Sequence, residues 1–207
     1  MSERKNPRPP VLEKKSTRIR KEEIVQAALE VLGNKGVSSL TIAALAETAR
    51  MSEANLYRHF SGKKEIFAAV ADFIGAEVMG KAAAIAGGSR KPLEKLETIF
   101  FSHIALISEH PGVPRFVFSD DIHLRYREVA ETLAGHIGAY VQTIAGIIAA
   151  GIAEAEFQPE LAPRETAVTL LGIVQMTALR WTISNASFEL KPEAEKLWKN
   201  FALMLQR

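Results

Sequence analysis

Residues 40–65 read LTIAALAETARMSEANLYRHFSGKKE. Thr41 is a good N-cap, and Ile42, Leu45, Ala46 and Ala49 behind it recur at helical spacing. Ser52 is the N-cap of a second short helix, in which Leu56, Tyr57 and Phe60 fall within two turns. Ser61-Gly62 then breaks the chain ahead of a longer helix starting at Lys63. Upstream, residues 17–34 predict a helix with Ile24, Ala27, Ala28, Val31 and Leu32 as its apolar stripe and Gly33 to Gly36 as its stop. Three such helices, two of them separated by only a few residues, make a helix-turn-helix unit.

The third helix is too short to be stable alone and must be held from beneath. Leu56 and Phe60, at i and i+4, point inward together. Glu53, Ala54, Asn55 and Arg58 remain on the other faces and are the candidates to read bases in a major groove. Asn55 suits adenine, Arg58 suits guanine O6 and N7, and Glu53 can accept from a cytosine amine. Singly, Asn55 and Glu53 also fit a solvated helix surface, since most contacts to DNA go to phosphate.

The same stretch resembles the N-terminal domain of the TetR/AcrR family of transcriptional regulators. The shared features are Thr41 opening the second helix, Leu45-Ala46 in its middle, Ser52 before the third, the block Leu56-Tyr57-x-His59-Phe60, and Lys63 three residues on. The resemblance implies that Thr41, Ser52, Tyr57, His59 and Lys63 clamp phosphates beside the groove. Hydroxyls, an imidazole and an ammonium at a helix N-terminus suit that task. Arg50 departs from the family, which usually places glycine between these helices.

Charge is uneven along the chain. Residues 1–64 hold 13 Lys/Arg against 7 Asp/Glu, whereas residues 65–207 hold 13 against 17. A basic N-terminal third on an acidic remainder is the pattern of a chain whose one end meets a polyanion. Residues 1–16 read as a basic, Pro-rich, disordered arm, residues 17–64 as the DNA-binding domain, and residues 65–207 as a ligand-binding and dimerisation domain. Arg18, Arg20 and Lys21 stand where an arm could reach a neighbouring minor groove. The arm has no apolar core of a secretory signal, and there is no cysteine, so a cytoplasmic location is expected.

Beyond Glu65 the fold class stays all-α. Breaks at Gly87-Gly88, His110-Pro111-Gly112, Gln158-Pro159 and Lys191-Pro192 delimit helices at 63–86, 91–109, 114–121, 123–154, 163–185 and 191–206. Residues 137–153 carry no charge and 166–183 carry only Arg180, but their Gln, Thr and Tyr content favours buried protein helices over membrane spans. Helix 163–185 is apolar on more than one side. Leu171, Ile173, Met176, Leu179 and Ile183, with Leu197, Trp198, Phe201 and Leu205 of the last helix, are expected to pair two subunits as a four-helix contact.

Between the long helices an apolar chamber is expected, lined by Phe73, Phe100, His103, Ile104, Phe118, Tyr140, Gln175, Met176 and Trp181, with Phe101, Phe116 and Ile144 as further candidates. His103, Tyr140 and Gln175 would orient a small hydrophobic effector. No metal, cofactor or catalytic role is expected: Asp120, Asp121 and His123 lack ligand spacing, and Gly62-Lys63 has no glycine five residues earlier to make a P-loop. The resemblance implies a dimeric repressor released from a pseudo-palindromic operator by a small apolar or amphipathic effector. Residues 52–60 are also similar to the nucleoid-occlusion member of the family, which leaves a second reading, a DNA-bound protein-interaction factor.

Overall fold

A computed structural model describes residues 16–206. Ten α-helices carry them, and none of these residues is in a strand. The order is α1 (Thr17–Lys35), a 3-10 turn (Val37–Ser39), α2 (Ile42–Thr48), α3 (Glu53–Tyr57), α4 (Lys63–Ala86), α5 (Pro92–Glu109), α6 (Gly112–Val117), α7 (Asp120–Arg125), α8 (Arg127–Ala153), α9 (Pro163–Ile183) and α10 (Leu190–Leu205). The all-α expectation holds, with a small trihelical head followed by a larger helical part. Of the expected arm, residues 1–15 lie outside the described residues; Ser16 instead caps α1, its hydroxyl accepting from the Ile19 N–H.

The head is built around Leu32, Leu40, Leu45, Leu56 and Phe60, all buried together with Ile66, Phe67 and Val70 of α4. This cluster holds the five-residue α3, which has too few backbone bonds to persist unaided. The α2–α3 turn closes with two bonds, Met51 N–H to Ala46 O at 2.9 Å and Arg50 N–H to Glu47 O at 3.0 Å. That Schellman closure puts Arg50 at φ 52, a left-handed conformation held although no glycine is there. A side chain in the left-handed region costs about 1 kcal/mol.

The head core continues into the larger part. Val113 and Phe116 of α6, Ile122 of α7, and Val129 and Leu133 of α8 are buried in the same cluster. Gly112 of α6 lies directly on the Leu29 carbonyl of α1, where no Cβ fits, so the two helices meet backbone to backbone. A second core gathers Phe100 and Ile104 of α5, Ile144 and Ile148 of α8, Leu170 and Val174 of α9, and Trp198 and Phe201 of α10.

The main departure from the sequence reading lies between residues 112 and 127. The segments expected at 114–121 and 123–154 are instead α6, α7 and α8. Ser119 restarts the chain by capping α7, its hydroxyl accepting from the Ile122 N–H at 3.3 Å. Tyr126, at φ −126 and ψ 67, separates α7 from α8, and its ring packs edge-on against Phe67, centroids 4.9 Å apart. Helices α8 and α9 are long and apolar enough to cross a membrane, yet each sets one side into the second core.

Candidate nucleic-acid interface and apolar chamber

Glu53, Ala54, Tyr57 and Arg58 are exposed, Asn55 and His59 are half-buried, and Leu56 and Phe60 are the buried underside. Tyr57 is 53% exposed, an unusual position for an aromatic ring with a core beside it. Thr41 accepts from the Ala44 N–H at 3.0 Å and Ser52 from the Asn55 N–H at 3.2 Å. Capping uses oxygen lone pairs and leaves each O–H free to donate to a phosphate.

The start of α4 is pinned by Glu65. Its carboxylate accepts from the Ser61 N–H at 2.8 Å and the Ser61 hydroxyl at 3.1 Å, and pairs with Lys21 at 3.3 Å. These bonds, the Ser61 N–H foremost, hold its pKa below the usual carboxylate value. Lys21 also stands 4.9 Å over the Phe60 ring. Of the α1 cations, Arg18 pairs with Glu22, Arg20 with Glu23, and Lys21 ties α1 to α4. Arg58 and Lys63, by contrast, carry no ion pair among the described residues.

A narrow cavity of about 70 Å³ lies between α4, α5, α6, α8 and α9. His103, Phe118, Tyr140 and Gln175 line it. The other expected lining residues do not. Phe73 packs edge-on against His110, Phe100 lies on Trp198 with centroids 5.4 Å apart, and Ile104 is sealed in the second core. Phe116 and Ile144 are likewise core, and Phe101 packs on Phe100 and Trp198. Trp181 donates from Nε1 to the Phe188 carbonyl at 3.0 Å, and Met176 is 57% exposed on the far side of α9. His136 was missed, although it precedes Tyr140 by one helical turn and shares its face. Its Nδ1 is buried without a partner against Gly75.

Within the chamber, His103 Nδ1 and Tyr140 Oη are 3.2 Å apart. Desolvation lowers the His103 pKa to about 4 and raises that of Tyr140, so both are neutral near pH 7.

The apolar faces of α9 and α10 also sort differently. Leu171, Trp198, Phe201 and Leu205 are covered by their own chain, so they are not available to a second subunit. Ile173, Leu179 and Leu197 are half-buried, while Met176 and Ile183 are exposed, the latter at 73%. Val168, Leu203 and Met204, unanticipated, are exposed as well.

Residues 24–70 match the model for bacterial regulatory proteins of the tetR family, and residues 73–205 match the C-terminal region of YsiA-like proteins. The chain belongs to the TetR family. Members of the TetR family bind DNA, dimerise, and are transcriptional regulators, not enzymes. The nucleoid occlusion factor SlmA of Vibrio cholerae is 34% identical over 99 residues, which is 47% of this chain and 50% of SlmA; that of Yersinia enterocolitica is 33% identical over 107 residues, 51% of this chain and 54% of the other. The chain thus spans about half the length of the curated relatives it matches. The TetR fold recurs over nearly the whole chain. Bacillus subtilis FadR, solved in complex with stearoyl-CoA, superposes with TM-score 0.73 at 17% identity over 89% of this chain and 99% of its own. A TetR regulator from Haloarcula marismortui gives 0.76 at 19% identity, over 92% and 100%.

Proposed function

We propose that this TetR-family chain is a dimeric repressor that holds a pseudo-palindromic operator through α3 and leaves it when a small apolar or amphipathic effector fills the chamber. The observation that carries the reading is α3 itself. A five-residue helix is anchored by Leu56 and Phe60, and Asn55, Tyr57 and Arg58, the last without an ion pair among the described residues, stand outside that anchor. Glu53, Ala54, Asn55 and Arg58 would read bases; Thr41, Ser52, Tyr57, His59 and Lys63 would hold phosphates. Met176, Ile183, Leu203 and Met204 would be covered by a second copy, placing two recognition helices about 34–36 Å apart. The apolar chamber in the larger part would supply the effector site, and a neighbour of the same fold, FadR, was solved with an amphipathic ligand, stearoyl-CoA. A cytoplasmic location fits this role.

Selection of bound duplexes from a random DNA pool tests it. Two inverted half-sites should be enriched, and Arg58→Ala should relax preference at one position per half-site. Lys63→Ala should weaken all sequences alike and reduce the salt slope by about 1. A pool with nothing enriched would overturn the reading. The match to SlmA favours a second one, a DNA-bound factor acting through a protein partner. It predicts a stable DNA-coupled protein complex that is indifferent to small molecules.

A further inference from the structure

The polar side chains of the chamber are the His103–Tyr140 pair, Gln175 and His136, whose Nδ1 has no hydrogen-bond partner. The eighteen lining residues include no Lys, Arg, Asp or Glu. A carboxylate or ammonium brought inside would lose its water with no counter-charge to replace it. His103 and Tyr140 hydrogen-bond to each other, and no other hydrogen bond reaches either side chain among the described residues.

The bond between them leaves a defined remainder. If the Tyr140 O–H donates to Nδ1, then His103 Nε2–H is an unspent donor and the phenol oxygen keeps an acceptor lone pair. If Nδ1–H donates instead, Tyr140 O–H is the unspent donor and His103 Nε2 the unspent acceptor. Either tautomer therefore offers one donor and one acceptor. A ketone or ether would meet only the donor; a hydroxyl meets both. The hollow on the other side of the pair, bordered by Glu77 and Lys81, has a volume of about 10 Å³, room for one water at most. Those two charges are already paired with each other at 3.0 Å.

We infer that the chamber selects neutral, mainly apolar molecules bearing a hydroxyl group seated on the His103–Tyr140 pair; this rests on the effector reading above. Phe118 and Ile137, part-exposed lining residues of the α6–α7 link and α8, mark the mouth through which the apolar body extends.

Calorimetric titration of the full chain with 1-octanol, octanoate and octylamine at about pH 7.5 compares one alkyl chain with three heads, of which only the alcohol is uncharged. Octanol should bind at least about tenfold tighter than either ion. Tyr140→Phe, checked for an unaltered helical spectrum, should weaken octanol by about tenfold and leave octanoate unchanged. Equal or tighter binding of octanoate or octylamine overturns the inference, as does no binding of any probe. Unchanged octanol affinity in folded Tyr140→Phe overturns the assignment to this pair. Octanol bound with the expected preference, but with the operator retained, upholds the ligand class and overturns the effector reading instead.

Discussion

Gly75 of α4 and His136 of α8 share one space: the imidazole Nδ1 lies where a Cβ on residue 75 would stand. Helix α4 runs unbroken from the head into the chamber wall, so this notch sets how closely the wall and the head-bearing helix approach. Gly75→Ala must push the ring aside, and overpacking of this kind costs about 1–3 kcal/mol. In a His136→Ala background the same change should become neutral or stabilising by up to about 1 kcal/mol, because alanine is the better helix former. Urea unfolding of the four proteins of this cycle decides it; equal costs in both backgrounds would show that the ring is not what the Cβ meets.

Arg50 carries the left-handed strain of the α2–α3 turn. Arg50→Gly should raise unfolding stability by about 0.5–1 kcal/mol, the strain relief exceeding the added freedom of the unfolded chain. A lower melting temperature for Arg50→Gly would mean that the arginine side chain contributes more than its backbone costs.

The two apolar sides of α9 and α10 should respond oppositely to substitution. Ile183→Asp, paired with Met176→Asp, leaves each monomer core intact and should shift the sedimentation of a dimer to that of a single subunit. Trp198→Ala opens a hole among Phe100, Phe101 and Phe201 and should cost about 3–5 kcal/mol of folding stability. Dimers persisting in the double aspartate variant would place the subunit contact elsewhere.

His103 makes stability depend on pH. Its pKa falls from 6.5 unfolded to about 4 folded, so between these values the unfolded chain binds more protons. The contribution is complete above about pH 6.5 and is lost as pH falls toward 4, a change of about 3 kcal/mol. His103→Gln should remove that loss. Denaturation curves of the two proteins at several pH values between these limits would run parallel if the ring were not desolvated.

The head was legible because its signals are local. Thr41 and Ser52 cap helices with their own hydroxyls, and Leu56 and Phe60 face inward by spacing alone. The strained turn at Arg50 was visible only through the family pattern. Farther along, periodicity told which sides of α5, α9 and α10 are apolar but not which neighbour covers them. Thus Phe100 and Trp198, expected in a chamber and a subunit contact, cover each other. Tyr126, where α7 ends, packs its ring on Phe67, distant in sequence, a contact that no local spacing encodes. His136 was within reach, one turn before Tyr140, had that face been followed.

The contact of Gly112 with the Leu29 carbonyl brings α6 and α1 together main chain to main chain, and Val113 and Pro114, which follow Gly112, border the chamber, Val113 being buried in the head cluster as well. A change at residue 113 therefore alters the wall and the linkage to the head together, whereas wall residues outside the head cluster, such as Val174 and Ala178, can be exchanged for new guests without touching it. Residue 112 has no such latitude, since any larger residue there would wedge α6 and α1 apart.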